Sequence, residues 1–182
     1  TWFPRHSFKF TFSNSYGGKL NYPLFGTDGA STYSSIELKT DNNYSFTWGN
    51  THTTLMRDQF SRQTKAAMGQ PTTRSHYVHV YLNGQYWGLY FTQEPFKADY
   101  AASYLGGSAS NYDVITDDRD LGFAASAEDG TITAWNAMFP LIADKVVTDA
   151  EYASLSAQVD MANLIDTAIL EAYTGNYDGA PS

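Results

Sequence analysis

The chain has no cysteine. That excludes disulfides and thiolate-metal sites and leaves the redox compartment open. No run approaches the ~18 apolar residues that a membrane span needs. No signal peptide stands at the start, which opens at Thr1 without Met, so a preceding segment is expected to have been removed. The sequence holds no P-loop, no dinucleotide-binding glycine pattern, no HExxH and no nucleophile elbow. Its four histidines do not pair with carboxylates at metal spacing, and His79, alternating with Val78 and Val80, reads as structural. Cations are scarce: 11 Lys and Arg stand against 19 Asp and Glu, a net charge of −8. The shortage is uneven. Residues 1–80 hold eight Lys/Arg against four Asp/Glu, and residues 81–182 hold three against fifteen. Such a split argues against non-specific nucleic-acid binding by the whole chain. It fits a basic N-terminal part that meets an anionic ligand. The acidic part either holds cations or forms a solvated surface.

Apolar and aromatic residues, in contrast, are plentiful. Of 182 residues, 42% are hydrophobic and 16% aromatic, enough for one domain or one bilobed domain with a real core. Val78 to Glu94 reads VHVYLNGQYWGLYFTQE. Asn83-Gly84 sits between two apolar-aromatic runs, the preferred pair for a type I′ turn with positive φ at both central residues. This predicts a β-hairpin whose aromatics Tyr81, Tyr86, Trp87, Tyr90 and Phe91 are mostly core. Pro95 cannot donate to a ladder, so the second strand ends there and leaves Glu94 at a rim.

Around the hairpin the pattern alternates between strand and helix. His6–Phe12 and Ser34–Thr40 read as strands, with Glu37 and Lys39 on one face of the second. Thr53 or Thr54 is expected to cap a helix to about Met68, with Leu55, Met56, Phe60 and Thr64 on its apolar face and Gly69 as its stop. Asn43-Tyr44-Ser45 is a glycosylation sequon, a pattern that also arises by chance. After Pro95, residues 98–105 form a short helix ended by Gly106-Gly107. Residues 111–130 read as acidic and irregular around a Val114-Ile115 strand. A helix around Trp135 is broken by Pro140, and Thr148 caps another. Asp160 starts a last helix, with Leu164, Ile165, Ala168, Ile169 and Ala172 as its buried stripe. Strands, one helix, a hairpin and then helices make an α+β order: a small antiparallel sheet plus one helix over residues 1–95, then a mostly helical region over 96–182.

Three residues fall in a suggestive order. Lys39 lies on a strand, Asp58 on the helix after it, and Asp178 on a turn after the last helix. In protein kinases a strand lysine grips the α- and β-phosphates, a helix carboxylate holds that lysine, and a loop aspartate is the catalytic base. Each position alone has an ordinary reading: a solvated lysine, a surface ion pair, an Asp-Gly turn.

The motifs resemble the CotH kinase family, the spore-coat-protein-H-like atypical kinases. Pro4-Arg5-His6-Ser7-Phe8-Lys9 is similar to its opening segment, and Leu20-Asn21-Tyr22-Pro23-Leu24-Phe25 to its apolar connection. Leu55-Met56-Arg57-Asp58 with Gly69 resembles its Arg-Asp helix. Val80-Tyr81-Leu82-Asn83-Gly84, Tyr86-Trp87-Gly88, Tyr90 and Glu94 resemble its most specific motif, and Asp160 to Gly179 its helix and Asn-x-Asp turn. The resemblance implies a protein-kinase-like bilobed fold, extracellular or surface-associated. It implies ATP with Mg²⁺ or Mn²⁺ as cofactors and phosphoryl transfer to protein Ser/Thr, on substrates that include surface or coat proteins. Carried over by position, Lys39 grips phosphate, Asp58 is its ion-pair partner, and Asp178 is the catalytic acid. Glu94 stands at the adenine-side crossing, and Arg5 and Lys9 also reach phosphates. His6 departs from the family's basic pair. The family's following asparagine and metal-binding aspartate do not occur before Ser182, so the chain is expected to be a C-terminally incomplete fragment. Two rival readings stand beside this one. The first is a non-catalytic structural or adhesive surface protein on a degenerate kinase scaffold. The second is a carbohydrate-binding module that stacks sugars on Tyr86 and Trp87.

Overall fold

The computed structural model describes residues 5–40, 53–118, 122, 124–142 and 148–176. The elements are β1 (Phe8–Thr11), β2 (Leu20–Asn21), β3 (Thr32–Tyr33), β4 (Ser35–Lys39), α1 (Arg57–Ala67), β5 (Ser75–Leu82), β6 (Gln85–Gln93) and α2 (Ala98–Leu105). There follow β7 (Val114–Asp118), β8 (Ala124–Asp129), α3 (Thr133–Met138), a 3-10 turn at Phe139–Ile142, α4 (Asp149–Ser156) and α5 (Met161–Thr174). The fold is mixed α+β, as the element order implies. Its main sheet is antiparallel in the order β1-β4-β6-β5, with β2-β3 and β7-β8 as separate pairs. The sequon at Asn43 lies outside the described residues.

The hairpin forms as its turn chemistry dictates, with φ of 50° at Asn83 and 82° at Gly84. Its aromatics divide in two. Tyr90 and Phe91 are buried, and the Tyr90 ring lies 5.8 Å from Phe8. Tyr81, Tyr86 and Trp87 are exposed, contrary to the expectation of a mostly buried set. Among the described residues β4 pairs β6 from Lys39–Phe91 to Glu37–Gln93, so within them the hairpin tip projects beyond its third strand. A bulge at Val80/Tyr81 adds to the divergence. His79 is exposed there, with Nδ1 3.1 Å from the Tyr86 hydroxyl.

Two helices present a different face from the expected one. α1 starts at Arg57, because Leu55 takes a φ of 57° and the Thr54 hydroxyl accepts from the Met56 N–H instead of capping the helix. Its buried residue is Gln59, whereas Phe60 is half exposed and lies 6.4 Å from the Tyr173 ring. Asp160 caps α5 by accepting from Asn163 N–H at 3.0 Å. There the expected buried stripe is exposed: Leu164, Ile165 and Ile169 face outward and Leu170 faces in. Gln70 holds α5 by polar contacts, accepting from Asn163 Nδ2 at 2.7 Å and donating to Asp166. Amphipathic stripes assume an apolar partner, and these helices dock through amides and carboxylates instead. β8 was not expected either, since Ala-Ala-Ser-Ala-Glu-Asp carries no β-branched or aromatic residue; pairing with β7 supplies what propensity does not.

One buried carboxylate joins the sheet to α2. Glu94, expected at a rim, is only 2% exposed. Its Oε2 accepts from Arg74 N–H at 2.9 Å, and its Oε1 accepts from the Tyr104 hydroxyl. That hydroxyl also accepts from Ala30 N–H at 2.7 Å. Arg74 lies 4.1 Å over the Tyr104 ring. Tyr100 donates to the Thr72 carbonyl at 2.8 Å. Burial, reinforced by the Glu94 charge, pushes the Tyr100 phenol from its ordinary 10.0 up to about 12. Burial and the Glu94 hydrogen bond also push the Tyr104 phenol up. Both shifts favour the neutral phenol in the folded state, so their stabilisation is full below pH 10.0 and falls as pH rises through the raised values, about 12 for Tyr100. Urea midpoints measured from pH 8 upward are expected to hold until about pH 10 and then decline, with a shallower decline in Tyr100→Phe. A profile that stays level above pH 10 in the unaltered chain contradicts this account.

Candidate functional site

Period-two geometry places side chains two apart on one sheet face. Lys9 on β1 is register partner of Glu37 on β4, which is register partner of Gln93 on β6. These three share a face with Lys39, whose Nζ lies 3.4 Å from Glu37 Oε2. Arg62 reaches the same place from α1, and Pro95, Phe96 and Lys97 reach it from the segment after β6. The β7-β8 hairpin forms the opposite wall with Asp113, Val114, Ile115, Thr116 and Glu128. Together they enclose a cleft of about 590 Å³, within the range of small-molecule sites.

The cleft's charges are arranged in pairs. Lys97 Nζ lies 2.6 Å from Glu128 Oε1 and straps the hairpin to the start of α2. Ala98 N–H, donating to Asp129 at 2.9 Å, holds the same junction. The Glu128 hydrogen bond pushes Lys97 up, and Lys97 holds the Glu128 carboxyl below its usual range. Lys9 has no carboxylate within ion-pair distance among the described residues, although its charge also lowers Glu128. Gln93 is 3% exposed, and its Oε1 has no hydrogen-bond partner among the described residues.

The sequence candidates separate on this geometry. Lys9 and Lys39 both line the cleft. Asp58 does not pair with Lys39. It accepts from Arg62 Nε at 2.7 Å in an i,i+4 pair, and Arg62 also donates to Thr73. Each of the expected partners has a nearer opposite charge on its own element, Glu37 for Lys39 and Arg62 for Asp58. Arg5 lies beside Lys39 in a small adjoining pocket, 5.0 Å over the Tyr90 ring and donating to the Leu89 carbonyl. Glu94 lies behind the cleft, its oxygens taken up by Arg74 and Tyr104. Asp178 is outside the described residues. Arg62, Lys97 and Gln93 are cleft residues that sequence reasoning missed. The Asp58/Arg62 spacing was the available signal for Arg62. Nothing local marks Gln93.

An α+β domain with a cation-lined cleft under an antiparallel sheet is thus in place. The CotH kinase protein family matches residues 1–182, the whole chain. The chain therefore belongs to the CotH kinase family. No curated protein and no solved structure matches it. Among the described residues no group of three or more His, Asp or Glu side chains is set to hold a metal ion, and no helix is long and apolar enough to cross a membrane.

The two acidic residues are expected to respond differently to truncation. Glu94→Ala leaves the Arg74 N–H and the Tyr104 hydroxyl without their buried acceptor and is expected to cost about 3 kcal/mol. Asp58→Ala, at a partly exposed helix pair, is expected to cost no more than about 1 kcal/mol. Urea denaturation of both variants checks the order; equal losses would show that Glu94 is not the buried anchor.

Proposed function

We propose that this chain is an ATP-dependent phosphoryl-transfer domain acting on protein Ser/Thr in an extracellular or surface setting. The observation that carries the proposal is the convergence of Lys9, Lys39 and Arg62, from β1, β4 and α1, on one cleft. Three cations lining one walled cleft suit a polyphosphate, whose charge they neutralise at fixed positions. Pro95, Phe96, Val114 and Ile115 give the same cleft an apolar stretch for a base. In this reading residues 1–95 and 96–182 are the two lobes, and the cleft lies near their crossing. Asp178 takes the proton as a substrate hydroxyl attacks the γ-phosphorus and the bond to ADP breaks. Mg²⁺ or Mn²⁺ supplies charge neutralisation on the phosphates in this family's chemistry. The described side chains offer no ready ligand cluster for it. Glu94 has no place in the reaction on this reading, and Arg62 joins Lys39 as a phosphate contact.

Calorimetric titration with ATP, in Mg²⁺ and in Mn²⁺, tests the proposal. The unaltered chain is expected to bind, and Lys39→Ala to weaken binding about tenfold or more, the loss of one charge-assisted hydrogen bond. Binding that is absent, or indifferent to Lys39→Ala, removes the nucleotide reading. A non-catalytic surface role on the same scaffold would then stand, for which the exposed Tyr81, Tyr86 and Trp87 offer a contact patch.

A further inference from the structure

A strand at the edge of a sheet offers its N–H and C=O groups to any extended chain, and proteins guard such edges with lysine, proline, charges or bulges. β5 is an edge. The main sheet runs β1-β4-β6-β5, and no strand among the described residues pairs β5 on its other side. It carries none of these guards. From Ser75 to Gln93 there is no Lys, Arg, Asp, Glu or Pro, in a chain of net charge −8. The bulge does not protect the edge either. Its extra residue, Trp87, stands on β6 and leaves β5 regular to Leu82.

The ladder fixes which groups face outward, because antiparallel pairs alternate between hydrogen-bonded and not. At one end Glu94 N–H donates to the Arg74 carbonyl at 3.3 Å. At the other, Leu82 and Gln85 close the two-residue turn as a hydrogen-bonded pair. Counting in from both ends, Val78 and Val80 turn their backbone groups to β6, and His79 and Tyr81 turn theirs away from it. Both His79 and Tyr81 are exposed.

We infer that β5 pairs antiparallel with β5 of a second copy of this chain, about a two-fold axis at Val80. The two main sheets then become one of eight strands, four from each copy. His79 N–H and C=O meet those of Tyr81 in the second copy, and Val80 meets its own counterpart. Such an edge is its own complement under a two-fold axis. Charge favours this occupant. Two chains of net charge −8 repel each other, and from Ser75 to Gln93 neither presents a carboxylate. A basic partner finds no counter-charge there. On one face imidazole lies opposite phenol, an aromatic pair of the kind that stabilises sheets. Lys9 and Lys39 stand on β1 and β4, in the other half of the sheet, so the pairing leaves the cleft open.

Sedimentation velocity of the full chain, from dilute to concentrated, tests this. The expected result is a shift from one chain mass to two, with amide exchange at His79 and Tyr81 slowing as the dimer forms. His79→Lys puts the missing guard on the edge at an exposed position, and is expected to weaken the dimer about tenfold or more. Tyr16→Lys makes the same change of charge on the turn after β1, at a residue 93% exposed, and is expected to leave the dimer unchanged. A chain that stays single at every concentration overturns the inference. So does a dimer that keeps its affinity in His79→Lys, or one in which the His79 and Tyr81 amides exchange as fast as in the single chain.

Discussion

The structure depends on one buried carboxylate. Glu94 stands where the sheet ends and the chain crosses to α2, and it bonds to partners on both sides of that crossing. Its own N–H donates to the Arg74 carbonyl at 3.3 Å, and its side chain accepts from the Arg74 N–H. Tyr104 brings in α2 and, through Ala30, the strand segment before β4. A carboxylate taken out of water must be compensated by hydrogen bonds. Satisfying it pins β5, β6, α2 and the Ala30 segment to a single point. With that point fixed, Pro95 and Phe96 emerge into the cleft at a set place, and Gln93 is set on its other side.

The faces around that anchor are more polar than a small domain usually allows. α1 turns Gln59 and Arg62 inward and leaves Phe60 half exposed. α5 turns Leu164 and Ile165 outward and docks through Asn163 and Asp166. Burying amides and guanidinium in place of alkyl groups weakens the hydrophobic contribution to stability. It also delivers Arg62 to the cleft, which an apolar α1 face would not. Departures from amphipathic rule of this kind are expected where an interface serves a site as well as a core.

The sequence was most legible where structure is set by neighbours in the chain. Asn83-Gly84 alone specifies the hairpin turn, Gly106 ends α2 at Leu105, Pro140 converts a helix to 3-10, and Thr148 and Asp160 cap the helices expected of them. What could not be read depends on partners remote in the chain. Glu94 is drawn inward by Arg74 and Tyr104, and neither position marks itself as its donor. Among the described residues the third strand falls short of the hairpin tip, and Tyr81 and Trp87 are exposed there. At the site, Lys39 was picked out by element order and Lys9 by the family resemblance, and both line the cleft. The helix residue was misread: the acid at 58 serves Arg62, and it is the cation that faces the cleft.

The uneven charge of the chain takes on a spatial meaning here. Lys9, Lys39 and Arg62 come from the cationic first 80 residues, and Asp113 and Glu128 from the acidic remainder. The two sets face each other across the cleft, joined at one end by Lys97 and Glu128. In the nucleotide reading proposed above, an anion entering between them would gain from one wall and be repelled by the other. It is therefore held against the sheet, on the side where Gln93 and the cations lie. The acidic wall adds nothing to the affinity for phosphate on this argument. What it contributes is direction, since repulsion from the hairpin and attraction to the sheet both orient the bound anion the same way.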